Sequence, residues 1–422
     1  LRLEKYMADE PHNTADAICE VHSLYEGFDA EDPNLSEMSL CLDCAKHPSL
    51  KAFVERHAVE GPVCGVCQHI STGYLVCDPA KIDEMVNVIK ALVRLYYSEH
   101  EYNQHWGADC NTDGLLTQSN PIIEDKSSNG RERSADKTGD FLYNLLAADP
   151  YPPEDKGISV YAGFYDGVRL HQFALKDTSS PALQKLCSRI ALENHFDIET
   201  DLLEVVEKFA LRITKTVPKG SRFFRARVGV CKSVADNDFA SWDQKILYIP
   251  YEGDKLGAPP PSFATAGRLN RAGVAFLYLA SDADTATAEV GPHVGQTVSV
   301  GEFENSVDLS IASFDCDISL FSSNESELSL MHFVHSVNEI MSYPTPSHQS
   351  EAFSITQIIA EGLRKKGFDG VSFKSSVHTG HNLCLFRPEV FSQVAGTAEV
   401  VRVKEVLYKT EPCPAMRDGN SS

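Results

Sequence analysis

The sequence has no run near the roughly 18 consecutive apolar residues of a membrane-spanning helix, which excludes a helical membrane protein. Its opening residues, LRLEKYMADEPHN, mix charges and lack the apolar centre of a secretory leader, so a cytoplasmic protein is expected. Positive charge is scarce: 38 Lys and Arg stand against 60 Asp and Glu, a formal net charge of −22. Such a surface repels phosphate backbones, which disfavours general nucleic-acid binding. The longest basic cluster, Arg364-Lys-Lys366, sits where it would close a helix ahead of Gly367 and complement its dipole. Neither a GxGxxG nor a P-loop pattern occurs, so a Rossmann or Walker nucleotide site has no support.

At 422 residues the chain is too long for one ordinary core, and two or three domains are expected. Its 42% hydrophobic and 23% charged content is that of globular domains. Twelve cysteines in a chain of this size do not read as a secreted disulfide scaffold. Four of them have metal-ligand spacing, because Cys41-Leu-Asp-Cys44 and Cys64-Gly-Val-Cys67 form CxxC–x19–CxxC. Two such knuckles present four thiolates tetrahedrally, the donor set of a structural zinc in a small ribbon or treble-clef-like module. A closed four-thiolate sphere leaves no position for water, so that zinc would hold a fold without doing chemistry. Cys19, His47, His69 and Cys77 are candidates to replace one ligand or to build a second site. A redox dithiol is the other use of CxxC, but no βαβ context accompanies these pairs.

Ile82, Met85, Val86, Val88, Ile89, Leu92, Val93 and Tyr96 recur at three-to-four spacing and predict a helix within 78–102. Residues 104–140 are polar and read as an exposed loop or disordered insertion. A helix at 140–148, a Pro-rich turn at 149–153, a strand at 158–164 and helices near 181–193 and 198–215 follow. The last of these has an amphipathic face and acids in its first turn, from Glu199 and Asp201. A boundary near Pro218-Lys-Gly220 then gives a zinc-ribbon-like module at 1–78, a mainly helical region at 79–217 and a C-terminal domain at 218–422. That domain is expected to hold strands at 222–229, 274–280, 296–303, 307–314, 369–374, 382–387 and 398–408. Helices at 283–290, 326–342 and 351–366 intervene, an α+β pattern.

Four stretches of this domain carry motif-like patterns. Arg222-Phe-Phe-Arg-Ala-Arg-Val228 is an alternating strand with arginines. Gly267-Arg-Leu-Asn270 is a turn; the apolar run Val274–Ala280 with Tyr278 follows, then a short helix that Asp282 or Asp284 can cap and that contains Glu289. Gly367-Phe-Asp-Gly-Val-Ser-Phe-Lys-Ser-Ser376 and Gly380-His-Asn-Leu-Cys-Leu-Phe386 complete the set. In this order they resemble the RES domain, a family named for its Arg, Glu and Ser, over roughly 220–410. The resemblance implies an ADP-ribosyltransferase-like split β-sheet that cradles NAD in a cleft. It carries the named residues onto Arg225, Glu289 and Ser375, with Tyr278 as aromatic partner. Leu269 stands where an aromatic is common, and Ser376 leaves the serine open by one position. Members are largely toxins of toxin–antitoxin pairs or defence effectors that drain NAD. An antitoxin or regulatory protein is therefore an implied partner, and a homo-oligomer is compatible. The stretch Arg94-Leu-Tyr-Tyr-Ser-Glu-His100 is similar to the ribonuclease motif of HEPN domains, which RES proteins can carry. An exposed His complementing a helix C-terminus accounts for it without chemistry.

Cleaving the nicotinamide–ribose bond of NAD, as the resemblance implies, builds positive charge on the anomeric carbon and ring oxygen. A fixed carboxylate beside them stabilises that state, and Glu289 is the candidate. The pyrophosphate suits a fork that keeps its proton: Arg225 on a strand, with Arg268 and Asn270 of the turn assisting. Tyr278 offers an aromatic face to nicotinamide, and Ser375 and Asn382 can hydrogen-bond the carboxamide or ribose. The expected activity is an NAD glycohydrolase, or a phosphorylase where phosphate replaces water. ADP-ribose transfer to a macromolecule and a HEPN-type ribonuclease are the alternatives. Plainer roles also exist: a surface carboxylate for Glu289, a core-edge ion pair for Arg225, a core ring for Tyr278 and a turn cap for Ser375.

Overall fold

The computed structural model describes residues 38–61, 63–68, 75–102, 116–117, 121–124, 141, 173–190, 192–235, 246–315, 317–343 and 353–407. The expected turn at 149–153, the strand at 158–164, Cys19, His69 and all but Phe141 of the 140–148 helix lie outside the described residues. The chain divides into two compact units, one of 1–213 with 314–340 and one of 214–313 with 341–422.

In the first unit β1 (Met38–Ser39) and β3 (Val63–Cys64) pair in parallel, and β2 (Ala58–Glu60) and β4 (Leu75–Cys77) pair antiparallel. Helix α1 (Pro48–Arg56) starts at His47, whose Nδ1 accepts from the Ser49 amide at 3.2 Å. Pro48 suits the first turn, where its missing N–H is not needed. Helix α2 (Ile82–Tyr96) buries Ile82, Met85, Val86, Ile89, Leu92 and Val93, the expected periodic face. It ends at Tyr97, and the short α3 (Glu99–Tyr102) follows. Helices α4 (Pro181–Ile190) and α5 (His195–Ile213) pack together, and Phe209 of α5 meets Phe333 of α7 (Glu325–Ser342) with ring centroids 5.7 Å apart. Within the polar stretch 104–140, Leu116, Ile122 and Ile123 are fully buried. The Ile122 carbonyl accepts from the Lys46 and His47 amides at 3.0 and 3.1 Å. That part is packed against the cysteine module because its few apolar residues supply an anchor that average polarity conceals.

Among the described residues the second unit is built on a nine-stranded mixed sheet. Its strands are β5 (Thr214–Val217), β6 (Arg222–Val228), β9 (Leu277–Ala280), β10 (Thr297–Asn305), β11 (Leu309–Ser313), β12 (Gly370–Lys374), β13 (His381–Leu385), β14 (Phe391–Gln393) and β15 (Glu399–Arg402). A separate pair is formed by β7 (Lys232–Ala235) and β8 (Ile246–Ile249). The order is β14-β10-β6-β9-β13-β12-β11-β5, with β15 also on β10, and the β11–β12 pairing is parallel while the others are antiparallel. The helix expected to run to 215 stops at Ile213, since the β-branched Thr214, Thr216 and Val217 take an extended form and pair with β11. This is the α+β class expected, with a large sheet in the C-terminal part and helices before it.

Strand alternation gives the sheet two faces. Leu277, Leu279, Phe303, Leu383 and Leu385 join one core, and Ala226, Ala280, Val298 and Val300 join another. Fully burying Val298 and Val300 stabilises by about 1.5–3 kcal/mol each. Helix α6 (Ala283–Glu289) lays Ala286 on the second face, and α8 (Ser354–Lys365) buries Ile355, Ile358, Ile359 and Leu363. One joint is thin. Strands β6 and β9 share a single register pair, Phe224 with Ala280, so the sheet nearly parts there.

Candidate active site

Helix α6 exists because Asp282 caps it: Oδ1 accepts from the Thr285 amide at 2.7 Å, and Oδ2 from the Thr285 hydroxyl at 2.8 Å. Its small residues let it lie close on the sheet, which brings its last residue, Glu289, to a cavity at the thin joint. That cavity has a volume of about 310 Å³ and is lined by Phe224, Arg268, Tyr278, Glu289, Phe373 and Asn382, among others. Glu289 is exposed, and its Oε1 accepts from the Ser375 hydroxyl at 2.6 Å and the Asn382 amide at 2.7 Å. Its other oxygen has no partner among the described residues. One carboxylate oxygen is thus fixed, and the other is available to a ligand.

Ser375 is buried at the end of β12 and also accepts from the Val377 and His378 amides, so it both caps a turn and holds the acid. Of the two serines, Ser375 is the one whose hydroxyl meets Glu289. Asn382 on β13 is fixed by register, opposite Ala280 on one side and Phe373 on the other.

The Gly267–Asn270 turn is tied to the same strand. The Tyr278 hydroxyl donates to Asn270 Oδ1 at 2.8 Å and accepts from the Leu269 amide at 3.1 Å. Burial holds the Tyr278 phenol well above its usual range, so it keeps the proton it donates. Asn270 spends its amide on the carbonyls of Thr265, Arg271 and Val274; it lies inside the turn and does not line the cavity. Gly267 is required there, since a Cβ would come within 2.5 Å of Asn270 Oδ1. Arg268 reaches the cavity wall, donates to the Met341 carbonyl and lies over the Phe353 ring. Burial lowers its guanidinium from the usual range, while Glu289 opposes that shift.

Arg225 also lines the cavity, but its Nε donates to the Leu256 carbonyl at 2.6 Å and its Nη1 to the Tyr278 carbonyl at 2.7 Å. It therefore bridges β6 and β9 where the ladder has only one pair. Burial pushes its guanidinium down to about 10, which still leaves it charged at neutral pH.

The sulfurs of Cys41, Cys44, Cys64 and Cys67, in the first unit, lie within 4.8 Å of one another, and those of Cys41 and Cys67 are 3.8 Å apart. A tetrahedron with metal–sulfur bonds of about 2.3 Å has edges of about 3.8 Å, so donor set and spacing fit zinc. The neighbouring thiols Cys41, Cys64 and Cys67, and then burial, push the Cys44 thiol upward. A dication reverses that preference by favouring thiolates. Cys77 is buried outside the cluster with its thiol toward the Asp78 carbonyl, and His47 caps α1 while its Nε2 meets the Tyr96 hydroxyl at 3.0 Å. Neither joins the four. Arg94 is buried on α2 and His100 is exposed on α3, so the HEPN-like pair falls on separate helices with opposite exposure.

Residues 243–403 match the RES domain. This part of the chain is similar to that family's domain. It contains Arg268, Tyr278, Glu289, Ser375 and Asn382, whereas Arg225 lies ahead of the matched stretch. A chain from the crystal structure of the M. tuberculosis MbcT–MbcA toxin–antitoxin complex is similar at 11% identity, with 48% of this chain and 92% of that chain covered. The TM-score of 0.27 is too low to bear on the fold. No curated protein matches the chain. Two supports of the Glu289 cavity escape sequence reasoning. Gln357 Nε2 on α8 donates to the Gly267 and Asn270 carbonyls, and the Thr356 hydroxyl donates to the Arg268 carbonyl. Both sit on an amphipathic helix far along the chain, where nothing local marks a polar residue as clamping a distant turn.

Proposed function

We propose that the RES domain cleaves the nicotinamide–ribose bond of NAD, as a glycohydrolase or, with phosphate as acceptor, a phosphorylase. The observation that carries this is Glu289, held through one oxygen by Ser375 and Asn382 while the other is left to the cavity. As the bond breaks, its electron pair leaves with nicotinamide and positive charge develops on the ribose. A preset carboxylate meets that charge without reorganising. Tyr278, strapped to the turn, presents its ring at the wall, and Arg268 supplies a cation near Glu289 for the pyrophosphate. Arg225 keeps the joint between β6 and β9 and adds positive field from beneath.

In this reading the protein is a toxin or defence effector that depletes NAD in the cytoplasm, restrained by an antitoxin or regulatory protein. Among the described residues no helix is long and apolar enough to cross a membrane. Cys41, Cys44, Cys64 and Cys67 hold a structural zinc that stabilises the first unit. The test is to incubate the purified chain with NAD and follow nicotinamide release beside a Glu289→Gln variant. Release by the parent and loss in the variant support the reading, and free ADP-ribose, its 1″-phosphate or a labelled macromolecule identifies the acceptor. Absence of release from the parent and from its 214–422 portion would remove it.

A further inference from the structure

On the sheet face opposite Glu289 the second unit opens a larger cavity of about 630 Å³. Its floor is apolar, from Leu277, Phe303 and Phe391, side chains of the core on that face. Three acidic residues, Glu252, Asp254 and Glu389, stand exposed at its rim. Among the described residues the lining includes no lysine or arginine. The neighbouring Lys255 directs its ammonium to the Cys231 sulfur at 3.3 Å. The walls are preformed, because the Gly253 amide donates to the Gln393 side chain and the Leu256 carbonyl is held by Arg225.

An apolar floor gains from burying an apolar side chain, while acids without a compensating cation select the charge that flanks it. A second copy of this chain, with its formal charge of −22, meets like charge there, and a phosphorylated or acidic partner does too. We infer that this groove docks a basic and apolar peptide segment of a partner protein. One aromatic or aliphatic side chain enters the floor, and Lys or Arg on either side meets Glu252, Asp254 and Glu389. The volume is on the scale of known ligand sites of about 300–1,000 Å³. The binding does not depend on what the Glu289 cavity does.

The probe is a fluorescein-labelled Lys-Lys-Phe-Lys-Lys peptide, with its binding to the full chain read by anisotropy. Controls are the same peptide with Ser in place of Phe and one with Glu in place of every Lys. The Phe peptide is expected to bind at least tenfold more tightly than either control and to weaken as salt rises. The double variant Glu252→Lys, Glu389→Lys reverses two exposed charges and is expected to lose at least tenfold in affinity. Ala395→Trp, at an exposed lining position, is expected to block the floor whatever the salt concentration. Equal binding of the Phe and Ser peptides, or parent-like binding by both variants, overturns the inference.

Discussion

The four thiols come from two tetrapeptides separated by 19 residues, whereas the Glu289 cavity draws on Phe224, Arg268, Tyr278, Glu289, Phe373 and Asn382. In the first, each CxxC places its own two sulfurs, and one turn of chain must then bring the pairs together. In the second, a helix cap, a strand register and a loop after another strand must all be right before Glu289 finds Ser375 and Asn382. A metal site can therefore be specified by spacing, while a carboxylate site is specified by a sheet. The two should also fail differently.

Depriving the four thiols of the proposed zinc is the largest perturbation. Apparent binding energies of structural zinc run to about 10–16 kcal/mol, so Cys44→Ser or chelation is expected to abolish cooperative melting of the first unit. Metal analysis and calorimetry check this, and a metal-free sample melting like the parent breaks the comparison. Next comes Glu289→Gln. Loss of preset charge is expected to lower nicotinamide release by about 10²–10³-fold, with unfolding changed by no more than about 0.5 kcal/mol, since the side chain is exposed. A stability loss matching the rate loss would make Glu289 a structural residue. Ser375→Ala removes one hydrogen bond to a carboxylate, about 1.5–3 kcal/mol, and should slow release roughly ten- to hundredfold, while Ser376→Ala leaves it near the parent rate. The reverse order of effects would move the serine assignment.

The smallest effect concerns pH and the first unit alone. Burial pushes His332 and His335 below the ordinary value of 6.5. Folded neutral imidazoles then bind fewer protons than unfolded ones. Their contribution to stability is present above about 6.5 and is lost as pH falls through the lowered values. Melting followed from pH 7.5 to 5.5 should show this decline, and His332→Gln should flatten part of it. A pH slope unchanged in that variant assigns the decline elsewhere.

Much of the second unit was legible in local pattern. The apolar runs around Tyr278 and Leu383, and the small-residue helix after Asp282, announced β9, β13 and α6 within a few residues. Asn270 shows the limit. A Gly-Arg-x-Asn turn marks a polar side chain near the site, but whether it faces ligand or backbone depends on Thr265, Arg271, Val274 and Tyr278 closing around it. Arg225 is similar, since a strand arginine announces a cation and not the Leu256 and Tyr278 carbonyls that hold it. Leu116, Ile122 and Ile123 were hidden because a polar window average dilutes three buried side chains.

Sequence alone determined the α+β class and the thiol donor set, because caps, periodicity and short spacings act within a few residues, while Glu289 and Ser375 became candidates through the resemblance of the ordered motifs to the RES family. Tertiary structure alone decided that 314–340 belongs with the first unit, that Ser375 and not Ser376 meets Glu289, and that β6 and β9 share one register pair. Each of these depends on contacts between segments far apart in the chain. Such contacts are selected by packing and register across the whole sheet, which no local window contains.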